Sequence, residues 1–177
     1  SPTYAREILS PQYGMGLEDS FARRAGVLFG ILNGVDYGTW DPRVDPFIEP
    51  HYSEPDANAK HTIKTELCRQ IRLEQAIERP VIGIVSRLAE QKGVDRFSAA
   101  LDRLIAETDA AFVVLGSGNP DLERDLKLRK MQYPDRIVFR GGHDEGLAHV
   151  IIAGSDFLLI PARYEPCGLT QMYSQRY

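Results

Sequence analysis

The sequence predicts an α/β fold with a doubly wound parallel sheet, and two features of its second half carry that reading. Short apolar runs recur at VIGIVS (81–86), AFVVLG (111–116), RIVFRG (136–141) and DFLLIP (156–161). Stretches with helical spacing lie between them, and strands alternating with helices mean βαβ units, a parallel sheet and right-handed crossovers. The pattern is Rossmann-like. Composition agrees, since 43% hydrophobic and 26% charged residues over 177 positions suit one globular domain, or one with an appended piece. A core of that size folds without staples.

Taken in order, LFGILN (28–33) closes on Gly34 and predicts a short buried strand. Residues 36–56 hold Pro42, Pro46, Pro50 and Pro55, which break regular structure and predict a loop hugging the surface. Ala59, Ile63, Leu67 and Ile71 recur every four residues among Lys60, Lys64, Glu66, Arg69 and Arg72, the stripe of an amphipathic helix. The continuous run 81–86 suits a strand buried on both faces. Val94, Phe97, Leu101, Leu104 and Ile105 trace a second helix, and Leu122 and Leu126 a third, more polar one. After the 136–141 strand, Asp144 can cap a helix that carries Leu147, Val150 and Ile151 inward. The 156–161 run is the fourth strand of this half, and a last helix opens at Gly168.

Several function classes are disfavoured. A net charge of −4 provides no basic field for nucleic acid. No apolar run approaches the ~20 residues that span a bilayer, and Ser1–Ser10 lacks a signal-peptide pattern. Cys68 and Cys167 make no disulfide framework and read as reduced thiols of a cytoplasmic protein. The four histidines (His51, His61, His143 and His149) show no metal-ligand spacing, so no metal is expected. The chain starts without Met and stops at Tyr177 inside a helix-like run, which reads as a fragment.

In doubly wound sheets ligands sit beyond the carboxyl ends of the strands, so the residues after each strand are the candidates. Arg87 and Lys92 follow the 81–86 strand and can clamp a diphosphate, the guanidinium as a fork and the ammonium as a compact charge; they can equally be solvated surface cations. Gly116 and Gly118 follow the second strand. They would let backbone approach a ligand, or simply make a tight turn, and the third glycine of a dinucleotide fingerprint is missing. After the fourth strand, Pro166 holds Glu165 extended. The N–H groups of Cys167, Gly168, Leu169 and Thr170 then open a helix whose start suits an anion or hydroxyls, with Glu165 as acceptor for sugar hydroxyls or only a favourable charge at the helix start.

Together the segments SPTYAREIL (1–9), YGMGLE (13–18), ILNGVDYGTWDP (31–42), VSRLAEQKG (85–93), LGSGNPDLE (115–123) and EPCGLTQMYSQRY (165–177) closely resemble glycogen synthases and starch synthases, nearly end to end apart from 45–78. That family has the GT-B architecture, two Rossmann-like domains facing across a cleft, the first holding the α-glucan acceptor and the second the ADP-glucose donor. The resemblance implies that residues 1–25 are the tail of the acceptor-side domain and 26–177 most of the donor-side domain. It implies that Arg87 and Lys92 contact the diphosphate with Leu169 and Thr170, and that Glu165 holds glucose hydroxyls with the backbone of Cys167 and Gly168. The resemblance also puts Asn33 and Asp36 where the chain crosses between domains, and they are expected to face the cleft.

The implied chemistry is retaining transfer without metal, by same-face attack in which a phosphate oxygen of departing ADP takes the acceptor proton. Cations that stabilise a leaving diphosphate suit it. Related enzymes often carry a second glutamate eight positions after the first; here that position is Tyr173, as in bacterial-type members. Two departures matter. The lysine-glycine loop opening the first domain and the Thr-Gly-Gly loop expected soon after Tyr177 are both absent, so the fragment is expected to bind nucleotide without catalysing. The second is His143, in GGHDE, at a position usually tyrosine and expected to stack on adenine. The rival readings are UDP-glucose as donor, a non-catalytic nucleotide- or glucan-binding module, and an NAD-dependent oxidoreductase.

Overall fold

Three of the predicted strands and all five predicted helices form where the apolar pattern places them in the computed structural model, which describes residues 1–53 and 57–177. The chain runs through helices α1 (Pro2–Glu7), α2 (Glu18–Ala22) and α3 (Ala57–Ile71), then β1 (Val81–Val85), α4 (Val94–Glu107), β2 (Ala111–Gly116), α5 (Pro120–Gln132), β3 (Ile137–Gly141), α6 (Glu145–Gly154), β4 (Phe157–Leu158) and α7 (Leu169–Arg176). All pairings in the sheet are parallel, in the order β3-β2-β1-β4.

Strand periodicity sorts the core into two layers. From β2, Ala111, Val113 and Leu115 point to one face, where they meet Ile63, Leu67 and Ile71 of α3 and Val150 and Ile151 of α6. Phe112 and Val114 point to the other, against Val94, Phe97 and Leu101 of α4 and Leu126 of α5. Residues such as Leu67 and Leu101 are fully buried, each worth about 1.5–3 kcal/mol relative to exposure. The predicted helix starts hold: Asp144 accepts from the Leu147 N–H at 2.9 Å, and Asn119 caps α5.

Strand order reverses at β1. The chain steps outward from β1 to β2 to β3, then α6 carries it back across to β4 on the far side of β1. The switch point therefore lies between β1 and β4, and a crevice opens outside their carboxyl ends.

Three expectations need correction. Residues 28–33 form no strand; they run unpaired, and Phe29 and Ile31 are about four-fifths exposed. An apolar run becomes a strand only beside another strand's free edge, and this segment lies instead along the chain start, where Gly30 abuts Ser1 and Pro2. The fourth strand is two residues long rather than six, although the Leu159 N–H still donates to Gly83. It is an edge strand, and Phe157 is exposed. The proline-rich loop does more than hug the surface, since Asp41, Asp45 and Ile48 are buried; Pro55 and Asp56 lie outside the described residues. No helix among the described residues is long and apolar enough to cross a membrane.

Candidate functional site

The residues after β1 and β4 converge as the switch point requires. After β1 the chain makes a short 3-10 turn, Glu90–Lys92, ended by Gly93 in the left-handed conformation (φ 67°). A Cβ at Gly93 would lie 2.0 Å from the Pro161 carbonyl oxygen, so only glycine lets this turn seat against the segment leaving β4. The Lys92 ammonium donates to both carboxylate oxygens of Glu165, at 2.9 and 2.7 Å. The two predicted residues thus meet, both largely buried, with side-chain exposures of 20% and 29%.

Two recesses flank this pair and share Val85 and Ser86 at the end of β1. One, of about 260 Å³, is lined by Arg87, Gly116, Ser117, Gly142 and His143. The other is a narrow cleft between Lys92, Glu165, Thr170 and Pro161. It adjoins a hollow of about 430 Å³ lined by Glu165, Gly168, Thr170 and Gln171. Arg87 is exposed. The His143 side chain is 86% exposed, its Nε2 3.5 Å from Glu145. A groove of about 940 Å³ between α3 and the 46–49 loop is larger, but it shares only Asp144 with the strand-end recesses.

The other predicted residues divide. Gly168 (φ 79°) precedes α7, and no side chain caps that helix, which leaves the N–H groups of Leu169 and Thr170 available. Cys167 is a half-buried free thiol. Gly116 and Gly118 serve the fold: a Cβ would lie 1.8 Å from the Ser86 carbonyl oxygen at the first and 2.5 Å from that of Leu88 at the second. Of the two, Gly116 borders the Arg87 recess. Asp36 folds its own turn, accepting from Gly38 N–H at 2.9 Å and the Thr39 hydroxyl at 3.1 Å. Asn33 is exposed on the unpaired segment and lines neither recess.

Sequence reasoning missed the frame around the site. Trp40 stacks between His149 of α6, ring centroids 3.6 Å apart, and Tyr173 of α7, 4.0 Å apart. Asp45 and His149 are fully buried, with His149 Nδ1 2.7 Å from Asp45 Oδ2. A carboxylate can only accept, so Nδ1 carries the proton, and among the described residues the buried Nε2 has no hydrogen-bond partner. Arg43 and Arg176 both donate to the buried Asp41 carboxylate. The hydrogen bonds from Arg43, ahead of those from Arg176, hold it well below the usual carboxylate range despite the opposing cost of burial. Arg163 pairs with Asp95; its place two residues before Glu165, just past a strand end, was the one available signal. Among the described residues, no three His, Cys, Asp or Glu side chains gather as a metal site would need.

Residues 79–174 match the family described as glycosyl transferases group 1. Over its whole length the chain is 49% identical to a glycogen synthase of Anaeromyxobacter dehalogenans and 47% identical to one of Alkalilimnicola ehrlichii. It spans 37% of the length of either relative. The catalytic domain of starch synthase IV from Arabidopsis thaliana, solved bound to ADP and acarbose, superposes with a TM-score of 0.91 at 37% identity, over all of this chain and 36% of that one.

Proposed function

Because the chain belongs to the group 1 glycosyl transferases, we propose that it is the donor-side part of a retaining glucosyltransferase, one that moves glucose from ADP-glucose to the non-reducing end of an α-1,4-glucan. The observation that carries this reading is the meeting of Lys92 and Glu165 at the switch point, beside a recess bearing Arg87 and His143. The arrangement has one place for each part of a sugar nucleotide. The Arg87 recess takes the adenosine, with His143 against the base. Arg87, Lys92 and the N–H groups of Leu169 and Thr170 meet the diphosphate, and the Glu165 hollow takes the glucose, with the backbone of Cys167 and Gly168. The ADP and acarbose of the starch synthase structure support a nucleotide and a glucan as ligands.

The Lys92 ammonium rests on Glu165. A diphosphate offers the ammonium a second anion, and the freed carboxylate oxygens can then accept from glucose hydroxyls. As the anomeric carbon–phosphate bond breaks, Arg87 and Lys92 stabilise the negative charge gathering on ADP. The acceptor hydroxyl attacks from the same face and passes its proton to a phosphate oxygen. Glu165 orients the sugar and forms no bond to it, since double displacement needs a second carboxylate about 5 Å away and Tyr173 holds the position eight residues on, stacked on Trp40. The two cations do the work a metal would otherwise do.

Residues 1–25 are proposed as the tail of the acceptor-side domain and 26–177 as the donor-side domain. Tyr4 and Tyr13 pack on Tyr164, so the tail lies against the segment that carries Glu165. Asn33 and Asp36, on the segment that follows, are proposed to face the same cleft. The free thiols Cys68 and Cys167 suit a reducing cytoplasm.

Calorimetric titration of the 177-residue chain with ADP, UDP and NAD tests the reading. ADP should bind most tightly, and Lys92→Ala should weaken it by an amount equivalent to roughly 1.5–3 kcal/mol, the worth of one charge-assisted bond. Preference for UDP would change the donor, and preference for NAD, or binding of none, would overturn the assignment. The chain alone should extend no glycogen, because transfer across a cleft needs both walls to hold the reactants.

A further inference from the structure

Lys92 and Glu165 lie 73 residues apart in the chain, so their spacing is set by whatever joins the two loops. Arg163 joins them. Its guanidinium donates as a fork to Asp95, at 2.7 Å to Oδ1 and 2.6 Å to Oδ2, and also to the Glu90 carbonyl. Its own N–H donates to the Gln91 carbonyl at 2.8 Å, and the Gln91 side chain donates back to the Tyr164 carbonyl at 3.4 Å. With Gly93 seated on Pro161, residues on both sides of Lys92 are tied to residues 161–164, and the Lys92 side chain projects from this seam onto Glu165.

We propose that Arg163 and Asp95 are positioning residues for the donor site, their forked pair setting where Lys92 and Glu165 stand and so where a diphosphate is met. The proposal rests on the donor-site reading above. The fork is committed: both terminal nitrogens of Arg163 are engaged within the protein, unlike the exposed Arg87, so Arg163 acts through Lys92 rather than on phosphate. The hydrogen bonds from Arg163 hold the Asp95 carboxyl below its ordinary range, as a standing pair requires. The pair lies outside both core layers, with side chains 26% and 38% exposed, so its removal should leave the fold standing.

The test is a double-mutant cycle on ADP affinity in the 177-residue chain. Arg163→Ala alone should weaken ADP about five- to tenfold, a coupling of the size found between residues of one network. In a Lys92→Ala background it should change affinity less than about twofold, because no ammonium remains to be placed. Asp95→Asn should reproduce both results. Equal losses in the two backgrounds would mean that Arg163 binds ADP directly or acts on the fold at large, and would overturn the proposal. Hydrogen exchange provides an arm without ligand: Arg163→Ala should speed exchange at the Lys92, Gly93 and Arg163 amides and leave the β2 amides unchanged. Unaltered exchange in the 90–93 turn would sink the clamp. Should the unmodified chain bind no ADP, the donor reading falls and exchange alone decides the clamp.

Discussion

Replacing His149 by alanine should cost this chain roughly 4 kcal/mol or more, and the cost should depend on the charge of Asp45. The ring is fully buried, with the Asp45 carboxylate at 2.7 Å, the face of Trp40 stacked on it, Phe47 with centroids 4.8 Å apart, and the Glu145 carboxylate 3.9 Å from Nε2. Removing one partner of a buried pair costs about 3–5 kcal/mol. The low end applies, because Asp45 keeps the Phe47 N–H and the Tyr177 hydroxyl as donors. Losing two ring contacts adds about 0.5–1.5 kcal/mol each. At about 2–4 °C per kcal/mol for a chain of this size, the melting temperature should fall by at least about 8 °C. The same substitution in an Asp45→Asn background leaves no buried charge behind and should cost only the ring contacts, about 1–3 kcal/mol. Differential scanning calorimetry of the four proteins measures both numbers. Equal cost in the two backgrounds would refute the reasoning, as would a loss under about 1 kcal/mol in the parent chain.

Three further outcomes follow from the same structure. At position 143, His143→Tyr should keep or tighten ADP affinity and His143→Ala should loosen it several-fold, since stacking on a base is worth about 1–3 kcal/mol; equal calorimetric affinities would show that the exposed ring does not touch the base. Arg87→Ala should weaken ADP by an amount equivalent to about 1.5–3 kcal/mol with almost no change in melting temperature, because the side chain is exposed; a large thermal loss would reassign it to the fold. Asp41 has a depressed folded pKa, so its contribution is present above the ordinary carboxylate value of about 3.9 and is lost as pH falls through the folded value. Urea midpoints measured from pH 5 down to 2 should therefore fall less steeply for Asp41→Asn than for the parent, and identical slopes would contradict the Arg43–Asp41–Arg176 arrangement.

The sequence by itself determined the local and periodic features. Ala59, Ile63, Leu67 and Ile71 specify a helix face whatever surrounds them, and runs such as AFVVLG specify strands buried on both sides, because spacing alone decides which side chains share a face. Asp144 capped its helix for the same reason, its partner being three residues away. The fold class followed from these, and with it the rule that directs attention to Arg87, Lys92 and Glu165 at the strand ends. The tertiary structure decided everything that depends on a partner distant in the chain. LFGILN carries the apolar signal of a strand yet pairs with no strand among the described residues, because strand formation needs a neighbour's ladder and not merely suitable residues. Gly116 and Gly118 read as glycines for ligand approach or for a tight turn, and only the structure shows their missing side chains making room for the backbone of Ser86 and Leu88. Asp45 and His149, 104 residues apart, and Arg163 and Asp95, 68 apart, leave no periodic trace. A hydrogen bond between two side chains constrains only where they meet in space, and that meeting exists only once the sheet has brought their loops to one edge.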